Sequence, residues 1–281
     1  MTMVTIGIPT LNGSHLLQPC LESIAACTKF DGNSLVRVVV CDDGSTAEEL
    51  QLTRHVVTSF AGRIPSVELL ENGDRRGIAK SWNRMARRHD DADVVVLINN
   101  DIEVVEDWLD VLVFSVMENP KAGMIGLNSY VALTKVQHAQ LFPPTTLRHV
   151  RIPRLDYREA HLQSGGGKLL SSQGPIFALR KSTYESVGGF DERYFCFYEE
   201  VDLGVTLRKN GFYHYMADYP IVYHQGGATT SEARNMDASS VMAQSAAKFR
   251  EKWGKSFTEI RRDYGSAPAA VEWNSQIKNW T

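Results

Sequence analysis

The sequence predicts an α/β protein with a mostly parallel central sheet, helices on both faces and a C-terminal subregion. Three observations carry this. Strand-like and helix-like segments alternate strictly over residues 1–127, the pattern of parallel sheets built from crossover units. The strand-like runs are almost wholly apolar, as strands covered on both faces are. Their ends are polar: PTLN at 9–12, DDGS at 42–45 and NND at 99–101. In open α/β sheets ligands bind beyond the carboxyl ends of the strands, so these three ends are expected on one rim.

The elements follow in order. Residues 4–9 are a β-branched run closed by proline, a strand end. From Ser14, Leu16, Leu17, Cys20, Leu21 and Ile24 recur at helical spacing. Residues 36–41 form the second strand, and Asp42-Asp43-Gly44-Ser45 supplies turn chemistry before a helix through Leu50, Val57 and Phe60. A third strand spans 67–70, with a turn at Asn72-Gly73-Asp74. Ile78, Trp82, Met85 and Ala86 mark a helix in which Trp82 reads as core. The fourth strand is 94–98. Trp108, Leu109, Leu112, Val113 and Val116 give the next helix, and 123–127 a fifth strand. Residues 128–171 are irregular, with the series Arg148, Arg151, Arg154 and Arg158. Structure resumes at 175–179. A helix through Val201, Val205 and Arg208 ends near Gly211. Short strands are expected at 213–216 and 221–223, a helix at 237–253, and no periodicity in the last 20 or so residues. The reading is one domain over 1–255, in halves 1–127 and 128–255, with a tail at 256–281.

Composition narrows the function. The 281 residues are 43% hydrophobic and 22% charged, ordinary for a globular chain and ample for a substantial core. A net charge of −3 disfavours a general electrostatic grip on nucleic acid without excluding a local basic patch. No apolar run reaches the ~20 residues of a membrane helix, and the N-terminus lacks signal-peptide character. Cys20, Cys27, Cys41 and Cys196 have neither disulfide-framework nor zinc spacing, so reduced thiols and a cytoplasmic location are expected.

The stretch VVVLINNDIEVVEDW, residues 94–108, runs a buried strand into Asn99, Asn100, Asp101 and Glu103. Asp101 and Glu103 share a side of an extended chain. Hard oxygen ligands there suit Mg²⁺ or Mn²⁺, with further oxygens drawn from a bound phosphate. Capping of the helix before Trp108 is the alternative.

Six segments in order make the chain resemble family 2 of the inverting nucleotide-sugar glycosyltransferases, over about residues 3–255. They are VTIGIPTLN, VVVCDDGST, RGIAKSWNRMAR, VLINNDIEV, VGGFDERYFCFYEEVDLGVTLRKNGF and VYHQGG. The resemblance implies the GT-A fold, a Rossmann-like nucleotide-binding half and an acceptor-binding half. It also implies transfer of a sugar from a nucleotide-diphosphate sugar to an acceptor hydroxyl, with Mn²⁺ or Mg²⁺.

Residue by residue, it implies that Asp42 and Asp43 contact base and ribose; a carboxylate accepts from a uracil-type N–H, as in UDP. Pro9, Thr10, Asn12, Gly77, Asn83, Asn99, Asn100 and Gly174 fall in donor-binding segments. Asp101 is the metal-binding aspartate, and His224 matches a position that reaches metal or diphosphate. Asn99 stands where the family's first aspartate is usual. Glu200 takes the position of the catalytic base, in a Glu-Glu pair where Glu-Asp is usual, and Glu199 remains an alternative base. Tyr194, Phe195, Phe197 and Tyr198 are candidates for an acceptor platform, with core packing the alternative; Asp202 is expected to brace its helix.

The acceptor stays open among glycan, lipid-linked sugar reached by peripheral membrane contact, protein glycan, and a hydroxylated nucleic-acid base. A non-catalytic nucleotide-sugar binder is a further alternative. A nucleotidyltransferase is disfavoured, because Pro9-Thr10-Leu11-Asn12-Gly13 replaces the glycine-rich basic loop that chemistry needs.

Overall fold

The computed structural model describes residues 1–30, 34–131, 162–163, 175–225 and 237–264. Gly174, the four arginines from 148 to 158 and the chain beyond 264 lie outside the described residues. The first half alternates as the sequence predicts: β1 (Thr2–Thr10), α1 (Ser14–Cys27), β2 (Ser34–Asp42), α2 (Ala47–Ser59), β3 (Val67–Glu71), α3 (Ile78–Ala86) and β4 (Val94–Ile98). Then come β5 (Ile102–Glu103), α4 (Trp108–Glu118), β6 (Ala122–Val131), β7 (Leu162–Gln163), β8 (Ile176–Arg180), α5 (Lys181–Ser186), α6 (Glu199–Lys209), β9 (Tyr213–His224), α7 (Ala238–Trp253) and α8 (Phe257–Tyr264).

One sheet runs β3-β2-β1-β4-β8-β6-β9-β5, with β7 on β9. β3, β2, β1 and β4 are mutually parallel, as are β6 and β9. β8 is antiparallel to both β4 and β6 and lies between them. The fifth predicted strand is therefore not the neighbour of the fourth. A later segment takes that slot, a long-range pairing that local pattern does not encode.

Strand alternation sorts the apolar residues onto two faces. Val4, Ile6, Ile8, Val36, Val38, Val40, Val94, Val96 and Ile98 meet α1, α2 and α4 in one fully buried cluster. Val39, Cys41, Val95 and Leu97 meet α3 and α6 in the other, where Trp82 packs edge-on to Phe177 at 5.6 Å. A third cluster joins Tyr194, Val201, Val205, Phe249 and Ile260, docking α7 and α8 on α6. No helix among the described residues is long and apolar enough to cross a membrane.

Three expectations are corrected. The two short strands after Gly211 are one strand, β9, whose register against β6 shifts between Ala217 and Val222. Pro220 falls in that bulge, where a missing N–H is tolerated. The described start of the tail, residues 256–264, has regular structure. Ser256 and Glu259 form a reciprocal capping box, Ser256 N to Glu259 Oε2 at 2.7 Å and Glu259 N to Ser256 Oγ at 3.3 Å. This starts α8, an eight-residue helix too short to reveal its period. The segment after Asp101 is not purely capping chemistry, since Ile102 and Glu103 pair with His224 and Tyr223 as β5.

Candidate active site

The three polar strand ends do share a rim. Asp43 N donates to Thr10 O at 2.9 Å, and Asn100 Nδ2 to Thr10 Oγ1 at 3.2 Å. Pro9 pairs with Cys41 in the strand register and is buried. Asn12 adopts φ +48°, a left-handed conformation that asparagine tolerates. From there its N–H donates to Ser45 Oγ at 2.8 Å and its Oδ1 accepts from Thr46 N at 2.9 Å. Asn12 thus clamps the first strand end to the second.

Asp42 and Asp43 are occupied within the protein. Asp42 Oδ1 accepts from Gly44 N (3.1 Å) and Ser45 N (3.0 Å), and the Ser45 hydroxyl donates to Oδ2. Asp43 Oδ1 accepts from Asn72 Nδ2 (2.8 Å), Ser81 Oγ (2.9 Å) and Arg76 N (3.1 Å), and Oδ2 from Gly77 N (2.9 Å). The geometry gives Asp42 a turn and Asp43 a hub binding the 72–77 loop. The sequence reading missed Asn72 and Ser81 as its partners, because they come from a turn and a helix that periodicity treats as packing.

Gly77 and Asn83 also serve the frame. Gly77 has φ +91°, and a Cβ there would meet Phe195 O at 2.5 Å, so only glycine lets residues 195–200 approach α3. The next amide, Ile78 N, donates to Phe195 O at 2.8 Å. Asn83 Nδ2 donates to Phe190 O (2.9 Å) and Glu192 Oε1 (2.8 Å), while its Oδ1 accepts from Phe190 N (2.9 Å) and the Tyr184 hydroxyl. The buried Asn83 amide thus has all its donors and acceptors engaged within the protein, tying α3 to residues 184–192. Hydrogen bonds and the backbone between them therefore link Asn100, through Thr10, Asp43 and Gly77–Ile78, to Phe195, four residues before Glu199.

Asp101 stands at the other end of that series. Its side chain is 4% exposed and its Oδ1 lies 3.3 Å from His224 Nε2. That approach lacks hydrogen-bond geometry, and Oδ1 has no hydrogen-bond partner. β5–β9 pairing sets the contact: Ile102 is in register with His224, and Gln225 N donates to Asp101 O at 3.0 Å. A buried carboxylate oxygen left unbonded beside an imidazole nitrogen fits a cation. Among the described residues no third His, Cys, Asp or Glu joins them. The pair therefore fits an ion that brings water or phosphate oxygens as further ligands, as Mg²⁺ does. Asn99 is partly exposed, and its N–H is committed to Pro175 O at 2.8 Å.

Glu199 and Glu200 open α6 behind two consecutive left-handed residues, Phe197 (φ +64°) and Tyr198 (φ +71°). Such backbone for two aromatic residues is costly and persists only where the surroundings impose it. Glu199 is buried, and its Oε2 has no hydrogen-bond partner. Burial, then the charge of Glu200, pushes the Glu199 carboxyl well above the usual carboxylate range. Burial also raises Glu200, against backbone amides and a hydrogen bond from Glu199 that favour its charge. The helix N-terminus stabilises negative charge here.

Asp202 braces, as the sequence predicts: it accepts from Tyr194 Oη (3.2 Å), Trp253 Nε1 (2.8 Å) and Lys252 Nζ (2.6 Å). Of the aromatic candidates, Tyr194 is fully buried, and the partly buried Tyr198 packs on Phe249 at 5.4 Å. Phe195 lies under the Arg75 guanidinium at 5.3 Å.

Comparison with known proteins agrees with this frame. The family described as Glycosyltransferase like family 2 matches residues 2–247. The N-acetylglucosaminyl-diphospho-decaprenol L-rhamnosyltransferase of Mycobacterium tuberculosis is 26% identical over 253 residues, 80% of this chain and 78% of that protein. Two solved structures share the fold. One is the mannosyltransferase PcManGT from Pyrobaculum calidifontis in complex with GDP-Man and Mn²⁺ (TM-score 0.61, 18% identity, 90% of this chain and 65% of that one). The other is S. aureus TarS 1-349 in complex with UDP-GlcNAc (TM-score 0.60, 16% identity, 89% of this chain and 67% of that one). The chain belongs to glycosyltransferase-like family 2 and is a glycosyltransferase of the GT-A fold.

Proposed function

We propose that this enzyme moves a sugar from a nucleotide-diphosphate sugar to a hydroxyl of a glycan or lipid-linked sugar, with inversion and with Mn²⁺ or Mg²⁺. The observation that carries the proposal is the unbonded, buried Asp101 Oδ1 at 3.3 Å from His224 Nε2. Asp101 and His224 would hold the ion, which when bound supplies Lewis-acid neutralisation of the departing diphosphate. Asn12 and the Asp42–Asp43 turn shape the shelf on which the nucleotide rests.

Glu200 is the base. As the acceptor oxygen forms its bond to the anomeric carbon, the hydroxyl proton passes to the Glu200 carboxylate. The electrons of the breaking carbon–oxygen bond leave with the diphosphate. Attack opposite the leaving group inverts the centre. Glu199 holds its proton to higher pH than an ordinary carboxyl and donates to Glu200, favouring the charge on that neighbour. Support comes from the burial of Glu199, its orphan oxygen and its raised carboxyl. The M. tuberculosis relative's name, with its diphospho-decaprenol acceptor, supports a lipid-linked sugar here. Four free cysteines suit a reducing, cytoplasmic setting.

A panel of nucleotide sugars, with Mn²⁺, Mg²⁺ or EDTA, tests this by thermal shift and transfer assay. The true donor at 100 times its dissociation constant stabilises by about 2.7 kcal/mol, only with the divalent ion. A panel in which no nucleotide sugar stabilises the protein overturns the proposal.

A further inference from the structure

Outside the site just described, α3 carries a concentration of positive charge. A cavity of about 230 Å³ is lined by Arg76, Lys80, Arg84 and Arg87, with Asn72 and Glu192 among the other walls. At about 30 Å³ per water, it has room for a phosphate-sized anion and several waters. Residues 80, 84 and 87 share one helix face by their spacing.

What holds these cations is mostly neutral. Arg84 Nη1 donates to Glu71 O and Asn72 Oδ1, both at 2.7 Å, and Arg87 Nη2 to Gly188 O at 3.0 Å. Carbonyl oxygens fix a guanidinium without cancelling its charge. Arg87 reaches Glu192 only at 3.9 Å. Arg76 is paired with the exposed Asp74 at 2.8 Å. Lys80 is exposed and makes no ion pair among the described residues. Four cations thus face three acids, Asp74, Glu192 and the inward Asp43, with two guanidinium forks held in place. That is the chemistry that recognises phosphoryl oxygens.

The cavity adjoins the reaction frame on both sides. Asn72 bonds Arg84 outward and Asp43 inward. Glu192 also receives the Asn83 amide, on the segment leading to Glu199. Resting on the glycosyltransferase reading above, we infer that this cavity binds the phosphoryl groups of an acceptor that carries its sugar on a diphosphate. Such an anchor holds the acceptor while its sugar hydroxyl reaches Glu200.

The test titrates inorganic diphosphate into the full chain in EDTA, so that binding through Asp101 and His224 does not contribute. Lys80→Ala/Arg87→Ala is compared with Arg63→Ala, which removes an exposed charge paired with Glu22 elsewhere. The double variant should bind about 10-fold or more weakly, the loss of charge-assisted contacts, while Arg63→Ala matches the unaltered protein. In transfer assays the double variant should raise KM for a diphosphate-linked acceptor and not for the same sugar lacking diphosphate.

Equal diphosphate affinity in all forms overturns the inference. So does a variant that loses binding to vesicles with 30% anionic phospholipid while its diphosphate affinity is unchanged, because the face would then read a headgroup. Nucleotide-sugar stabilisation of the unaltered protein is scored separately. Its failure sinks the glycosyltransferase proposal and leaves the diphosphate titration to stand or fall by itself.

Discussion

The acids of this enzyme fall into two kinds, and the difference lies in what their oxygens touch. At the β2 end, Asp42 and Asp43 accept from backbone amides, Ser45, Ser81 and Asn72. At the β4 end and the start of α6, Asp101 and Glu199 each keep a buried oxygen without a hydrogen bond. Burying a polar atom unpaired costs free energy. A fold that satisfies one set of carboxylates and leaves the other unsatisfied has separated shape from chemistry. The first set fixes the loop; the second keeps the unbonded oxygens that the proposed function uses for a ligand or a proton.

Substitution of each kind should therefore fail differently. The largest effect is expected at Glu200. Glu200→Gln keeps the shape and removes the proton acceptor, so kcat should fall by about 10³-fold, within the range of general base catalysis. Nucleotide-sugar binding by calorimetry should be unchanged. A Glu200→Gln enzyme with near-normal kcat would transfer the role of base elsewhere. Asp101→Ala comes next, with kcat/KM down about 100-fold and no thermal gain from divalent ion plus nucleotide. Its own Tm should stay level or rise, because the unbonded oxygen is gone. A large Tm loss in Asp101→Ala would move Asp101 into the structural class.

Asp43→Ala should show the opposite signature. It strands the Asn72, Ser81, Arg76 and Gly77 donors at once. Hydrogen bonds to a charged group contribute about 1.5–3 kcal/mol each and are not additive, so a loss of about 3 kcal/mol is expected. In a chain of this size that is a Tm drop of roughly 6–12 °C. Measured by thermal denaturation, an unchanged Tm would break the comparison. Asp202→Ala belongs with it at somewhat smaller cost, since Lys252 and Trp253 stay partly hydrated.

How far the sequence was legible follows the same division. The parallel half was readable because apolar strands and periodic helices are local signals, and so was the shared rim, which topology imposes. Asp101 and the Glu199–Glu200 pair were visible as acids at element ends. What local pattern does not carry is long-range pairing. The insertion of β8 between β4 and β6, the β5–β9 contact beneath Asp101 and His224, and Asn83 as a tie to residues 184–192 all join segments far apart in sequence. Motif position marks Asp43, Gly77 and Asn83 as donor-binding candidates, and it carries no trace of the intramolecular bonds each of them makes in the fold.

The smallest effect sharpens the comparison most. Glu199 is pushed up by burial and by Glu200, so it holds its proton in the folded chain at pH values where the unfolded chain has lost it. The folded state then binds more protons, and stability falls as pH rises from the unfolded carboxylate range toward the raised value. The contribution is fully present below the unfolded pKa, about 4.3, and is lost through the folded one. Glu199→Gln is neutral at every pH and keeps an N–H to offer Glu200. Its Tm relative to the unaltered enzyme should climb from pH 4 upward, while kcat at pH 7 falls no more than about 10-fold. If that Tm difference were flat across pH, Glu199 would be ionised in the fold and its orphan oxygen would need a cation.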